Sequence, residues 1–153
     1  MKDTRGTNEA PLPPQSLGGR SGSDEDELVA LAKEARGSAY APYSDFTVGA
    51  ALLATSGRIY SGCNVENASY GLSICAERVA LFNAVSAGER EFTAIALVTE
   101  TGATPCGACR QVLQEFGGDL RVIVANLEGE RQVYTLKELL SHSFTARQLP
   151  RKG

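Results

Sequence analysis

Two cysteine-bearing stretches constrain the fold of this 153-residue chain more than any other feature. They are residues 73–78 (SICAER) and residues 105–111 (PCGACRQ). Ser73 and Thr104 are residue types that cap helix N-termini, and Pro105 suits a first helical turn. The sequence therefore predicts that each stretch opens a helix and that cysteines lie at both N-termini.

The cysteine spacing predicts a metal site. Cys106 and Cys109 are three residues apart, so a helix places both on one face, where two thiolates can hold one tetrahedral ion. Cys75 supplies a third ligand. Catalytic zinc sites keep three protein ligands and leave the fourth position for water, so the pattern favours a catalytic zinc ion. Glu77 is better placed to move protons at such a site than to bind the metal.

Three thiolates around a divalent cation carry a net negative charge, which the surroundings must offset. Two helix N-termini contribute roughly half a positive charge each. Arg78 and Arg110 lie close to the cysteines in sequence. We expect these positive groups to compensate the negative charge of the thiolate cluster, with Arg78 as the main contributing side chain.

Two plainer interpretations of the four cysteines stay open. They could be reduced core thiols, as in most proteins of a reducing compartment. They could also form a closed structural zinc site that includes Cys63, although such sites usually show two close cysteine pairs and this chain has one. We expect Cys63 to be a buried thiol. His142, the only histidine, is expected to be a surface or packing residue.

Composition and charge narrow the class of protein. The chain is 42% hydrophobic, which suffices for one packed domain. Its net charge of -3 argues against a nucleic-acid partner, for which a basic surface is expected. It has no apolar run of membrane-spanning length and no secretory signal pattern. We expect a cytoplasmic protein that binds neither membranes nor nucleic acid.

The order of predicted elements indicates an α/β fold. Residues 1–22 are predicted to be a disordered tail and residues 23–150 a single domain. A helix is predicted from the acidic cluster at 24–27 to about residues 38–40, followed by a hairpin of residues 46–54 and 58–64. Further strands are predicted at 92–99, 120–126 and 132–135, with a last short helix at 136–140. The helix-strand alternation predicts a parallel pair of strands.

The two cysteine-bearing stretches together resemble the signature of a known protein family. Cys75-Ala76-Glu77 followed by Pro105-Cys106-Gly107-Ala108-Cys109 is similar to the signature of zinc deaminases. With cysteine in the first position it resembles the cytidine deaminases that act on free nucleosides. The resemblance runs from about residue 40 to 149 and includes 46–51 (FTVGAA) and 64–67 (NVEN).

The resemblance implies a fold, an activity and further site residues. The fold is a three-layer α/β arrangement, a mixed five-stranded sheet with helices on its faces. The activity is hydrolytic deamination of cytidine and 2'-deoxycytidine in pyrimidine salvage, with one Zn²⁺ per subunit. Phe46 would pack on the pyrimidine, and Asn64 and Glu66 would hold the ribose. The main chain at Ala76 would read the base.

The resemblance also implies a homotetramer with shared active sites. Ala68, Tyr70 and Phe144 match family positions that reach into a neighbouring subunit's site. Two rival functions remain. A blasticidin-type deaminase shares the zinc and glutamate chemistry, but the Asn64 and Glu66 pair favours an unmodified ribose. A zinc-stabilised interaction module would not need Glu77 and leaves the deaminase-like pattern unexplained.

Overall fold

The core of the protein is a mixed sheet with helices on both faces. The computed structural model describes residues 15–16 and 23–150. Its strands are β1 (Gln15–Ser16), β2 (Gly49–Ala54), β3 (Arg58–Cys63), β4 (Phe92–Val98), β5 (Arg121–Ala125) and β6 (Arg131–Thr135). Its α-helices are α1 (Ser23–Arg36), α2 (Ala76–Ser86), α3 (Gly107–Gln114) and α4 (Leu136–Leu139), and short 3-10 turns lie at Tyr70–Leu72 and Ala146–Gln148.

The strand order is β1-β3-β2-β4-β5-β6, and β4 and β5 are the parallel pair. The other neighbouring strands run antiparallel. The predicted hairpin is confirmed as β2 and β3, joined by a turn that contains Gly57 at φ 88°. The parallel pair is also confirmed, with α3 in the crossover, so the predicted fold class is confirmed.

The sheet gains one strand from the segment that was predicted to be a disordered tail. Strand β1 pairs with the outer edge of β3, with Gln15 opposite Ile59 and Ser16 opposite Arg58. The rest of residues 1–22 lies outside the described residues. The five predicted strands form the remainder of the sheet.

The central strands are buried on both faces of the sheet, which produces three layers. In β4, Ile95 and Leu97 belong to one hydrophobic core, whereas Ala94, Ala96 and Val98 belong to the other. The first core lies beneath α2, α3 and α4, and the second lies beneath α1. Because successive side chains of a strand point to opposite faces, a strand buried on both sides reads as a continuous apolar run.

Helix α1 ends earlier than its sequence pattern predicts. It stops at Arg36, and residues 37–39 continue as turns in which each N–H donates to the carbonyl three residues earlier. The end was predicted near Pro42, at residues 38–40. Gly37 already weakens the helix there, since glycine is the poorest helix former after proline.

Two glycines let helices lie unusually close to the sheet. A Cβ on Gly49 would stand 1.9 Å from the carbonyl oxygen of Ala32 in α1. A Cβ on Gly62 would stand 2.4 Å from the backbone nitrogen of Ala80 and 2.6 Å from the carbonyl oxygen of Ala76, both in α2. Backbone atoms cannot rotate away as side chains can. Gly62 therefore fixes how closely the first turn of α2 approaches β3.

We expect Gly62→Ala to lower the free energy of unfolding by about 1 to 3 kcal/mol, because an added methyl group overpacks the contact with α2. Urea unfolding measures this as a lower midpoint. Gly71→Ala is the control, since its Cβ would meet nothing within 4 Å. If both variants kept the wild-type midpoint, the close approach of α2 to β3 would be contradicted.

No helix in residues 23–150 is long and apolar enough to cross a membrane.

Candidate metal centre and substrate pocket

Both cysteine-bearing helices begin later than predicted, and the cysteines themselves are the N-cap residues. Helix α2 has Cys75 as its N-cap and α3 has Cys106, each with extended backbone and no side-chain capping hydrogen bond. The expected cap Ser73 instead accepts a hydrogen bond from the backbone N–H of Asn67 at 3.0 Å. The prediction that Ser73 and Thr104 are caps was therefore wrong, although both helix N-termini do carry cysteines.

The three predicted ligands lie together. The sulfur of Cys106 is 3.9 Å from that of Cys75 and 3.6 Å from that of Cys109. All three sulfurs lie within 4.8 Å of one another. Zn–S bonds of 2.3 Å at tetrahedral angles place sulfurs about 3.8 Å apart. The cluster therefore fits a single zinc ion with three thiolate ligands and one open position.

The fourth cysteine and the histidine lie elsewhere. Cys63 is half-buried at the end of β3 and is not part of the sulfur cluster, and burial raises the pKa of its thiol. His142 is exposed, with φ 52°. A closed four-cysteine site is therefore not what the described residues form.

The electrostatics of the cluster favour a thiolate at Cys75. The pKa of Cys75 is lowered to about 5, chiefly by the hydrogen bond with Cys109 and further by Arg78. The same hydrogen bond raises the pKa of Cys109, since Cys109 is the donor. A thiolate is the form of cysteine that binds metals.

Arg78 lies against the cluster as predicted from its sequence position. Its Nη2 donates to the Cys75 sulfur at 3.3 Å, and this contact raises the pKa of the guanidinium. Its Nε is buried without a hydrogen-bond partner among the described residues. The guanidinium is thus held beside the sulfurs as a fixed positive charge.

Removing this charge should shift the pH dependence of turnover. A nearby positive charge favours anionic forms, so Arg78→Gln is expected to move the acidic limb of the pH–rate profile upward by about 1 unit. Arg78→Lys keeps the charge and should shift the limb less. Superimposable profiles for wild type and Arg78→Gln would remove Arg78 from the electrostatics of the site.

Arg110 hydrogen-bonds the segment that leads into Cys106. Its Nε donates to the carbonyl oxygen of Pro105 at 2.7 Å, its Nη1 to that of Leu139 at 2.7 Å and its Nη2 to the Thr104 hydroxyl at 3.2 Å. These three hydrogen bonds go to two main-chain carbonyls and one hydroxyl. Arg110 braces the segment that leads into Cys106.

Glu77 lies beside the metal cluster in a pocket of about 260 Å³. It is 5% exposed, and burial raises its pKa to about 7, with the Cys75 charge acting in the same direction. Cys75 and Cys106 line the same pocket. A buried carboxyl that can gain and lose a proton near neutral pH, next to a metal site, suits general acid/base chemistry.

Three of the residues predicted to bind base and sugar line the same pocket, namely Phe46, Asn64 and Glu66. Ala76, whose main chain is predicted to read the base, is fully buried as the first residue of α2 and is not part of the pocket lining. Phe46 is 43% exposed at the pocket. The Asn64 amide accepts from the N–H of Val48 at 2.8 Å and donates to the carbonyl oxygen of Phe46 at 2.7 Å. Asn64 therefore also holds the backbone that carries Phe46.

Glu66 is tied to the loop before β2. Its Oε1 accepts from the N–H groups of Tyr43 and Ser44 at 3.0 and 3.1 Å. Desolvation raises the pKa of this carboxyl, but hydrogen bonds from Ser44 and Tyr43 outweigh it, so the pKa lies below its usual value. Glu66 is thus a carboxylate at the pocket.

The residues predicted to reach another subunit lie outside this pocket. Ala68 is exposed, and Tyr70 and Phe144 are 74% and 57% exposed. The ring of Tyr70 lies edge-on to Tyr43, with centroids 5.7 Å apart. Within the single chain, the structure does not bring these three residues to the sulfur cluster.

Comparison with known proteins identifies the family. Residues 23–126 match the family model described as the cytidine and deoxycytidylate deaminase zinc-binding region. The chain belongs to this deaminase family. A cytidine deaminase of Sporosarcina psychrophila is 50% identical over 129 residues, which are 82% of this chain and 95% of the relative. One from Halalkalibacterium halodurans is 52% identical over 126 residues, covering 80% and 96%.

Solved structures of the family share the fold. The crystal structure of a cytidine deaminase from Burkholderia pseudomallei matches with a TM-score of 0.76 and 52% identity, covering 78% of this chain and 98% of that one. One from Mycobacterium tuberculosis matches with a TM-score of 0.70 and 42% identity, covering 79% and 97%. Together with the sulfur cluster, membership in this deaminase family assigns Zn²⁺ as the cofactor.

One buried polar residue of the pocket in this deaminase domain is not predicted from the sequence. Thr99 follows β4, is 2% exposed and lines the pocket. In the sequence, Thr99 directly follows the apolar run 92–98, a position that suits the last residue of a strand and does not by itself indicate a site residue.

Proposed function

We propose that this chain hydrolyses the 4-amino group of cytidine and 2'-deoxycytidine, giving uridine or 2'-deoxyuridine and ammonia. The observation that carries the proposal is the placement of buried Glu77 in one pocket with Cys75 and Cys106 of the three-sulfur cluster. An interaction module stabilised by zinc would need neither a pocket nor a buried carboxyl. The burial of Glu77 therefore favours an enzyme.

In the proposed reaction, Glu77 carries the protons. The zinc ion, when bound by Cys75, Cys106 and Cys109, supplies Lewis-acid chemistry that makes water a stronger nucleophile near neutral pH. Glu77 takes a proton from the attacking water as its oxygen bonds to C4, and passes that proton to N3 of the base. Glu77 then moves the remaining proton of that oxygen, now a hydroxyl on C4, to the 4-amino group. The C4–N bond breaks, ammonia leaves and the C4–O bond becomes the carbonyl of the product.

The pocket lining supports a neutral nucleoside as the substrate. The lining that the structure describes has no lysine or arginine, and Glu66 adds a carboxylate. A phosphorylated substrate would meet repulsion without compensation there. We propose that Phe46 packs on the pyrimidine, that Asn64 and Glu66 bind ribose hydroxyls, and that the Ala76 main chain reads the base.

A substrate panel tests the assignment. We expect cytidine and 2'-deoxycytidine to have the highest kcat/KM, deoxycytidine monophosphate to be much poorer, and blasticidin S to compete weakly. Ammonia release measures all four compounds. A kcat/KM for blasticidin S above that for cytidine would replace this proposal with the blasticidin-type reaction.

We further propose a homotetramer in which Ala68, Tyr70 and Phe144 complete a neighbouring subunit's site. The support is the exposure of two aromatic side chains, Tyr70 and Phe144, on the single chain. Large exposed apolar side chains are typical of interaction surfaces. Sedimentation equilibrium is expected to give four times the chain mass of 16.2 kDa. A monomer with full activity would contradict the shared site.

We also propose a cytoplasmic location and a role in pyrimidine salvage. None of the four cysteines, all of which lie in the described part of the chain, forms a disulfide, and this suits a reducing compartment. Fractionation of the source cells tests the location. Recovery of the protein outside the cytosolic fraction would contradict it.

A further inference from the structure

Thr99 is one of only two buried polar or charged residues in residues 23–150, and the other is Glu77. Both line the same pocket. Thr99 follows directly after β4, and its backbone N–H donates to the carbonyl oxygen of Ala125 at 3.2 Å. A buried hydroxyl carries a desolvation cost unless hydrogen bonds compensate it.

The hydroxyl of Thr99 is committed to the loop that follows β4. Its Oγ1 accepts from the N–H of Gly102 and from the N–H of Ala103, both at 2.8 Å. A hydroxyl has two acceptor lone pairs, so both are used. Gly102 has φ 77°, a conformation that other residues rarely adopt. One side chain thus fixes two successive backbone amides in an unusual turn.

This loop carries part of the site. Ala103 and Thr104 line the pocket, and Cys106 follows two residues after Thr104. The far end of the loop is held by Arg110, which binds the Pro105 carbonyl and the Thr104 hydroxyl. The loop is therefore fixed at its start by Thr99 and at its end by Arg110.

We propose that Thr99 is a positioning residue that sets the place of Thr104 and Cys106 relative to Glu77. Its effect on turnover rests on the proposed deaminase function, whereas its effect on metal retention does not. The effect on turnover follows because the placement of the reacting atoms depends on the position of the 102–106 segment. The effect on metal retention follows because that segment carries the zinc ligand Cys106.

Thr99→Val tests the proposal, because it keeps the shape of the side chain and leaves two amides without their acceptor. We expect kcat to fall about 10- to 100-fold, as for displaced catalytic groups. We expect zinc release to a chromophoric chelator to become at least about tenfold faster, as when groups supporting metal ligands are lost. Thr99→Ser keeps the acceptor and should restore both values.

Thr93→Val is the matched control, since Thr93 is exposed near the start of the same strand. It should leave zinc release and kcat unchanged. Thr99→Val with wild-type zinc release and wild-type kcat, even at a lower melting temperature, would overturn the proposal and leave Thr99 as a stabilising residue only. If Thr99→Val did not fold, Thr99→Ala would be judged by the same two measurements.

The zinc measurement also separates this proposal from the proposed function. Wild-type protein that binds zinc but deaminates nothing would contradict the proposed function alone. Faster zinc release from Thr99→Val in that case would still support the positioning role, and equal release rates would overturn it.

Discussion

Glu77→Gln is expected to retain zinc and to lose at least about 10²- to 10⁴-fold in kcat, the contribution typical of general acid/base catalysis. The amide cannot take a proton from the attacking water or deliver one to N3, yet it fills nearly the same buried volume. Uridine formation under saturating cytidine measures the loss. The zinc content of the same sample shows that the metal site is intact.

Glu128→Gln is the matched control for this change, since Glu128 is exposed in the turn between β5 and β6. It should have wild-type kcat. Near-normal turnover in Glu77→Gln would rule out Glu77 as the proton carrier, and the buried carboxyl would then need another explanation.

Cys106→Ala is expected to lose its zinc, because two sulfurs remain from a cluster in which Cys106 lies within 3.9 Å of both others. Two thiolates fall short of the three protein ligands of a catalytic zinc site. Metal analysis after gel filtration measures the zinc content, and deamination should be lost with it. Folding stability should also fall, since the cluster links the N-termini of α2 and α3.

Cys63→Ala provides the matched control because Cys63 is half-buried but lies outside the cluster. It should keep zinc and activity. Full zinc retention by Cys106→Ala, or zinc loss from Cys63→Ala, would point to a different set of ligands.

The sheet and the cluster were predictable because their signals are local. The apolar runs 46–54, 92–99 and 120–126 have strand length, and β2, β4 and β5 lie within them. The spacing of Cys106 and Cys109 is that of one helical turn, and the structure brings their sulfurs to 3.6 Å. The third sulfur, that of Cys75, requires a long-range contact, which the cysteine pattern suggests and the family resemblance supports.

The N-caps of α2 and α3 are not predicted correctly by the local preference of residue types for cap positions. Serine and threonine are favoured as N-caps because their hydroxyls accept hydrogen bonds from the first turn. Here Cys75 and Cys106 occupy the cap positions without such bonds. Where packing and the cysteine cluster fix the start of a helix, the sequence need not contain a capping residue there. The predicted starts of both helices are therefore too early.

The contacts that hold the pocket were not predictable, since each joins distant parts of the chain. Asn64 reads as a turn residue, but its amide bonds the backbone of Phe46 and Val48 across 16 to 18 residues. Gly62 reads as an ordinary strand glycine, and only the packed structure shows the first turn of α2 against it. Such roles depend on which backbones meet in three dimensions.

The central claim is most directly tested by mixing purified protein of known zinc content with cytidine and following uridine and ammonia together. We expect uridine and ammonia to appear in equal amounts and the activity to scale with zinc content. Zinc-loaded protein that produces neither would contradict the claim that this pocket is a deaminase active site.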